Sequence, residues 1–186
     1  SFSRGAFTLF VGSSWQPDED FIIPYFNKHP EMKMVLAPHE ISEDRISGIL
    51  AGVKRPAVRY TKTTPEEAAE ADCLILDCYG ILSKSYRFAT VAYVGGGFGV
   101  GIHNINEAAV YGIPVVFGPK YGKFKEARDL IALEGAFTVS GGDEYALVMN
   151  RLLSDGEYLK KHGEIAGGYI RDNLGATRRI YDAIFK

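Results

Sequence analysis

VAYVGGGFGVGIHNINEAAVYGIPVVFGP, residues 91–119, reads as a strand, a glycine-rich turn, a helix and a second strand. Its first four residues, Val91-Ala92-Tyr93-Val94, have the apolar, β-branched and aromatic composition of a buried strand. The five glycines from Gly95 to Gly101 cannot extend it. Glycine is used where φ must be positive or where something comes close to the main chain. A helix is predicted over 103–111, with Gly112 at the usual stop position and Pro114 opening a buried strand over 115–118. Two parallel strands joined by a helix follow. Unpaired N–H groups and the positive dipole end of such a helix favour an anion, most often phosphate. A plain tight strand-to-helix turn accounts for the same glycines without any ligand. Gly97-Phe98-Gly99-Val100-Gly101 lacks the third glycine of a dinucleotide-binding turn. No acidic residue ends a strand about twenty residues on, and GxxxxGK[ST] does not occur.

The same alternation extends in both directions. Apolar strands are predicted over 6–11, 33–37, 56–60 and 73–77 before the central stretch, and over 137–139 after it. Helices are predicted between them. The first has Pro17, Asp18, Glu19 and Asp20 in its first turn and runs through 21–27. The second is capped by Ser42 and reaches Val53, the third is capped by Thr64 with Pro65 behind it, and another runs to about Phe88. Further helices cover 124–133 and 144–153, and 157–185 is read as two or three pieces broken at Gly167-Gly168 and Gly175. Continuously apolar strands alternating with helices imply an α/β fold with a parallel sheet covered on both faces. Ligands in such sheets bind beyond the carboxyl ends of the strands. That rim is formed by the loops at 12–15, 38–40, 77–80, 95–104 and 120–123.

Composition narrows the functions open to this fold. The 186 residues, 46% hydrophobic and 24% charged, suffice for one good core, so a single domain is expected. Lys+Arg 21 against Asp+Glu 23 leaves a net charge of −2, and no nucleic-acid partner is expected. There is no apolar run of eighteen residues and no signal peptide. The first residue is Ser1 rather than Met, which suggests an excised domain. Cys73 and Cys78 would lie about 16 Å apart on one strand, beyond the reach of a disulfide, and are read as reduced cysteines of a cytosolic protein. The four histidines, His29, His39, His103 and His162, are far apart in sequence, and no GxSxG element is present. No metal or other cofactor is expected.

One family resemblance is carried by particular residues. Gly12-Ser13-Ser14-Trp15, Ala37-Pro38-His39, the run from Leu76 through Asp77, Cys78, Tyr79, Gly80 and Ile81 to Leu82, Tyr93-Val94-Gly95-Gly96-Gly97-Phe98 and above all Gly101-Ile102-His103-Asn104-Ile105-Asn106-Glu107-Ala108 resemble the carboxyl-terminal half of bacterial 3-deoxy-D-manno-octulosonic acid (Kdo) transferases. The resemblance covers nearly the whole chain in order. It implies the Rossmann-like donor-binding domain of a GT-B glycosyltransferase, with CMP-Kdo as the nucleotide sugar bound and a lipid A precursor as the acceptor of the complete enzyme. It further implies that the acceptor site and the catalytic base lie upstream. The terminal helices, about 157–186, would then pack toward the other lobe. The complete enzyme would work in lipopolysaccharide biosynthesis at the cytoplasmic face of the inner membrane, and these residues alone would be soluble and inactive. The sequence departs from the family at His39, where many members carry arginine.

The donor-binding residues this implies are Ser13, Ser14, His39, Asp77, Tyr79, Gly80, Ile81, Gly97, Phe98, Gly99, Gly101, His103, Asn104, Glu107 and Lys120, with no catalytic residue among them. Glu107 would accept the two ribose hydroxyls, Tyr79-Gly80-Ile81 would face the cytosine, and the N–H groups of 97–104 would take the phosphate. Each has an ordinary reading too. Asn104 and Glu107 match a capping box, Ser13 and Ser14 suit helix caps, Asp77 suits a strand end, and Lys120, Lys123 and Lys125 suit solvent. Two other functions stay open: a UDP-sugar epimerase or related GT-B nucleotide-sugar enzyme, and a flavodoxin-like binding or regulatory domain.

Overall fold

The computed structural model describes residues 2, 3, 5–175, 181 and 184 of the chain. Its strands are β1 (Phe7–Ser14), β2 (Met32–Pro38), β3 (Ala57–Arg59), β4 (Cys73–Ile75), β5 (Val91–Val94), β6 (Val115–Phe117) and β7 (Ala136–Thr138). All pair in parallel, in the order β3-β4-β2-β1-β5-β6-β7. The helices are α1 (Gln16–Lys28), α2 (Glu43–Gly52), α3 (Pro65–Glu70), α4 (Leu82–Ser85), α5 (Asn106–Ala109), α6 (Lys125–Ala132), α7 (Gly142–Ser154) and α8 (Gly156–Asp172).

Both faces are apolar because neighbouring strand residues point to opposite sides. Leu9, Met34 and Tyr93 pack with α1, α2 and α7 through Ile22, Phe26, Ile46, Tyr145 and Met149. Their neighbours Phe10, Val35 and Val94 face the other way and, with Val115 and Phe117, meet Ala108, Ala127, Leu130 and Ala166 of α5, α6 and α8. The predicted caps form. Ser42 accepts the Arg45 amide, and Thr64 accepts the Glu67 amide while Glu67 takes the Thr64 amide.

Three expectations are corrected. β1 does not stop at Val11 but continues to Ser14, across an irregularity at Ser13, whose φ is 52°. The helix expected over 103–111 is confined to Asn106–Ala109. Residues 101–104 are held instead by the loop's own bonds, the His103 amide donating to the Gly95 carbonyl at 3.1 Å and the Gly101 amide to the Gly96 carbonyl at 3.3 Å. The region after 157 is not broken at Gly167-Gly168, for α8 runs through both. Gly163 and Gly167 lie against the main chain at Gly112, and a Cβ at Gly163 would run into the Gly112 carbonyl oxygen. Small residues on one helix face allow this close approach, so these glycines serve packing rather than a break. Of the expected terminal helices, residues 176–180, 182, 183, 185 and 186 lie outside the described residues.

Candidate functional site

The strand order reverses direction at β1 and β5: the chain passes from β1 to β2, lays β3 at the sheet edge and β4 between β3 and β2, then returns to β5 on β1's other side. The crevice above the carboxyl ends of two such strands is the usual ligand position in an open parallel sheet. Here it is flanked by the start of α1 after β1 and by the glycine-rich loop after β5.

A buried carboxylate ties the two together. Asp18, 1% exposed, accepts the Tyr93 hydroxyl on Oδ1 at 2.7 Å, and on Oδ2 the Trp15 amide at 2.9 Å and the Gly96 amide at 3.2 Å. Burial, with Asp18 beside it, holds the Tyr93 phenol far above its ordinary pKa, so it stays a donor. Glu19, also buried, accepts the Ser14 hydroxyl at 2.7 Å and Arg45 Nη2 at 2.5 Å. Burial raises the pKa of Glu19 despite those donors. The first turn of α1 is thus filled by the chain's own carboxylates, and an incoming anion finds no welcome there.

Three rings cover the crevice next to this network. His39, from the end of β2, stacks on Trp15 at 4.4 Å between ring centres and on His103 at 4.6 Å. Trp15 Nε1 donates to His103 Nε2 at 3.3 Å, which leaves Nδ1 of the neutral His103 ring to carry the hydrogen. Burial, then the nearby His39, lowers the pKa of His103, while Asp18 and Glu107 oppose that shift.

The glycine-rich loop is shaped by close approach. A Cβ at Gly95 would strike the Ser13 carbonyl, and one at Gly97 would sit 2.6 Å from Gly118 Cα. Lys120 Nζ donates to the Gly99 carbonyl at 2.8 Å and so anchors the tip. The amides of Gly99, Gly101 and His103 are spent on carbonyls within the loop. The expected phosphate cradle from all the N–H groups of 97–104 is therefore not available. α5, four residues long, also adds little dipole.

Asn104 and Glu107 do not form the capping box their spacing suggests. Asn104 Oδ1 accepts the Asn106 amide at 3.1 Å, but among the described residues Glu107 accepts only the Asn104 side-chain amide, at 3.2 Å. Glu107 is half-buried on the rim, with carboxylate lone pairs to spare.

The remaining candidates divide. His39, Tyr79, Gly80, Gly99, Asn104 and Lys120 are exposed, and Ser13, Ile81, Phe98, Gly101, His103 and Glu107 are half-buried. Asp77 is drawn away. Its carboxylate accepts Arg59 Nε at 2.7 Å, the Thr61 amide at 2.9 Å and the Thr61 hydroxyl at 2.6 Å, with its side chain fully buried. Burial alone would raise its pKa, but these donors outweigh it and hold the carboxylate low. Ser14 is buried on Glu19, Phe98 packs edge-on against Phe21 at 5.5 Å, and Gly97 is buried against Gly118. Trp15, Asp18 and Tyr93 were missed as site residues. The signals were a tyrosine in an otherwise aliphatic strand and acids directly after a strand end.

The large hollows lie elsewhere. One of about 670 Å³ sits between β7 and the start of α8, beside His162 and Tyr158, and another of about 640 Å³ lies over β1, β2 and β4. The rim is an open shelf, and the convergence of side chains there at the strand-order reversal outweighs volume as a guide to the site. Among the described residues no group of three or more His, Cys, Asp or Glu could hold a metal ion, and no helix is long and apolar enough to cross a membrane.

Comparison with known proteins adds kinship. No family model matches the chain. The 3-deoxy-D-manno-octulosonic acid transferase of Aquifex aeolicus (strain VF5) is 30% identical over 176 residues, 90% of this chain and 48% of that protein. That of Bordetella pertussis is 30% identical over 158 residues, 83% of this chain and 37% of that protein. The crystal structure of the C-terminal CMP-Kdo binding domain of WaaA from Acinetobacter baumannii superposes with a TM-score of 0.77 at 20% identity, covering 92% of each chain. The chain belongs with the carboxyl-terminal half of the Kdo transferases. Its parallel sheet with helices on both faces has the fold of that WaaA domain. Anabaena Alr3699/HepE, solved with UDP-glucose, shares the fold with a TM-score of 0.69 at 14% identity, over 96% of this chain and 48% of that one. The chain spans less than half the length of the curated relatives it matches.

Proposed function

We propose that this domain is the CMP-Kdo-binding half of a Kdo transferase that glycosylates a lipid A precursor. The donor lies on the shelf where His39, His103, Asn104 and Glu107 converge. The observation that carries this reading is Glu107: its own helix does not use it as a cap, so its carboxylate stands open on the rim with one amide partner. A carboxylate so placed accepts both hydroxyls of a ribose. His103 and His39 face the phosphate and the sugar acid, and Tyr79, Gly80 and Ile81 border the base. Ser13 and Lys120 shape the neighbouring walls. Asp77 acts from behind, holding the loop it begins through Arg59 and Thr61.

In this role the domain binds and orients the donor and stabilises charge on the departing phosphate. The base that activates the acceptor is supplied by the rest of the enzyme, which works at the cytoplasmic face of the inner membrane. No metal is required.

Calorimetric titration tests the assignment. CMP binds the 186-residue chain and UDP binds more weakly. In Glu107→Gln, which loses a charge-assisted contact of about 1.5–3 kcal/mol, CMP affinity falls roughly ten- to a hundredfold with the melting temperature little changed. Equal affinity for CMP in the two proteins removes Glu107 from the site. Preference for UDP over CMP favours the UDP-sugar reading, the fold neighbour solved with UDP-glucose being its support.

A further inference from the structure

The hollow of about 640 Å³ over β1, β2 and β4 lies on the sheet face away from α1 and α2. α5, α6 and α8 cover the β5–β7 side of that face. Over the other side stand, among the described residues, α4, the 3-10 turn Tyr86–Phe88 and Phe2 and Ser3. The floor is Phe10, Val35, Leu74 and Leu76, and Tyr60 and Phe88, each about half exposed, flank the opening. Phe10, Val35 and Leu76 are themselves buried, so the apolar surface left for a ligand is chiefly that of half-buried Leu74 and of Tyr60 and Phe88 at the opening.

Charge says what kind of group that is. No aspartate or glutamate is among the described residues that line the hollow, and its only charged side chains are Lys84 and Arg87. Neither makes an ion pair among the described residues, and Arg87 lies on the Phe88 ring at 4.7 Å from its centre. An apolar trough of several hundred Å³ with two cations and aromatic rings at its edge suits a ligand with a hydrocarbon body and an acidic head. Aromatic and basic side chains together are also what the interface of an anionic membrane selects.

We propose that this groove takes one acyl chain of an anionic lipid, with the lipid's phosphate on Lys84 and Arg87. Its upper end opens at Gly80 and Ile81, so an occupied groove abuts the loop that borders the donor shelf.

The probe is dodecyl phosphate below its micelle concentration, titrated calorimetrically into the 186-residue chain, with dodecyl maltoside as the uncharged control. Dodecyl phosphate binds at least tenfold more tightly than the maltoside. Leu74→Trp, which fills the floor, abolishes binding, and Lys84→Glu/Arg87→Glu weakens it at least tenfold. Circular dichroism and melting of each variant report folding, and the double variant serves where Leu74→Trp fails to fold. Vesicles of phosphatidylglycerol sediment with the chain and vesicles of phosphatidylcholine do not. Equal affinity for both amphiphiles, or unchanged affinity in the charge-reversed variant, overturns the proposal. So does a chain that ignores dodecyl phosphate and forms a concentration-dependent dimer lost in Leu74→Trp, because the occupant is then a second copy.

Discussion

Asp18 shows how one side chain sets the geometry of a site it does not line. It is bound by Trp15, Tyr93 and Gly96, so it fixes the start of α1, the end of β5 and the first bend of the glycine-rich loop at once. Tyr93→Phe removes one of these donors and leaves a buried carboxylate oxygen short of a partner. It is expected to cost about 1–3 kcal/mol, read as a lower melting temperature, with weaker CMP binding following from the displaced loop. An unchanged melting temperature would mean that water replaces the phenol. A second consequence concerns protons. The folded chain holds the pKa of His103 below the ordinary imidazole value, so the unfolded chain binds that proton more tightly. The stability this group contributes is full above about 6.5, its unfolded value, and is lost as pH falls through that value toward the folded pKa. Melting temperature between pH 7.5 and 5 should therefore fall less steeply in His103→Gln, which still offers Trp15 an acceptor, and parallel slopes in the two proteins would dismiss the effect. Asp18 was legible in the sequence as an acid at a helix start. Its burial was not, because that depends on a tyrosine 75 residues away.

Elements whose ends are decided locally were legible, and those decided by distant packing were not. Thr64-Pro65-Glu66-Glu67 carries its own cap, and its helix begins where expected. α5 is shorter than its pattern suggests because the Gly95 carbonyl captures the His103 amide, a bond invisible to any count of helical period. α8 errs the other way. Gly167-Gly168 reads as a break from propensity alone, yet α8 stays whole because glycine at 163 and 167 lets it lie on the Gly112 turn, where φ is 70°. Gly163→Val puts a branched side chain where the Gly112 carbonyl stands. The helix must back away, and a loss of about 1–3 kcal/mol is expected from overpacking. Gly168→Ala, whose position meets only the tip of Arg171, should be neutral or slightly stabilising through its better helix propensity. Denaturant melts of both variants give the comparison, and equal destabilisation would show that α8 needs flexibility rather than contact.

At the scale of the molecule, the rim is an unfinished surface. Val100 at the tip of the glycine-rich loop is 100% exposed and Tyr79 76%, both beside the proposed donor site. Fold class, strand count and the rim loops could be read from the alternation of apolar runs and turn residues. That the rim would be a shelf rather than an enclosed pocket could not, since enclosure depends on what stands opposite. The shelf limits the chemistry. A surface that binds CMP-Kdo and steadies its phosphate lowers the cost of the leaving group's departure, but an inverting transfer also needs an acceptor hydroxyl aligned with the sugar and a base within hydrogen-bond reach of its proton. The other carboxylates of the rim are already engaged. Asp18 is buried under three donors, Glu19 is paired with Arg45, and Asp77 is locked by Arg59 and Thr61. The 186-residue chain is therefore expected to bind CMP and to transfer no Kdo. Incubated with CMP-Kdo and a lipid A precursor, it should release CMP no faster than the spontaneous hydrolysis of the donor measured alongside it. Release dependent on the acceptor, at a rate like that of an intact Kdo transferase under the same conditions, would place the base within these residues and overturn the division of labour proposed for the two halves.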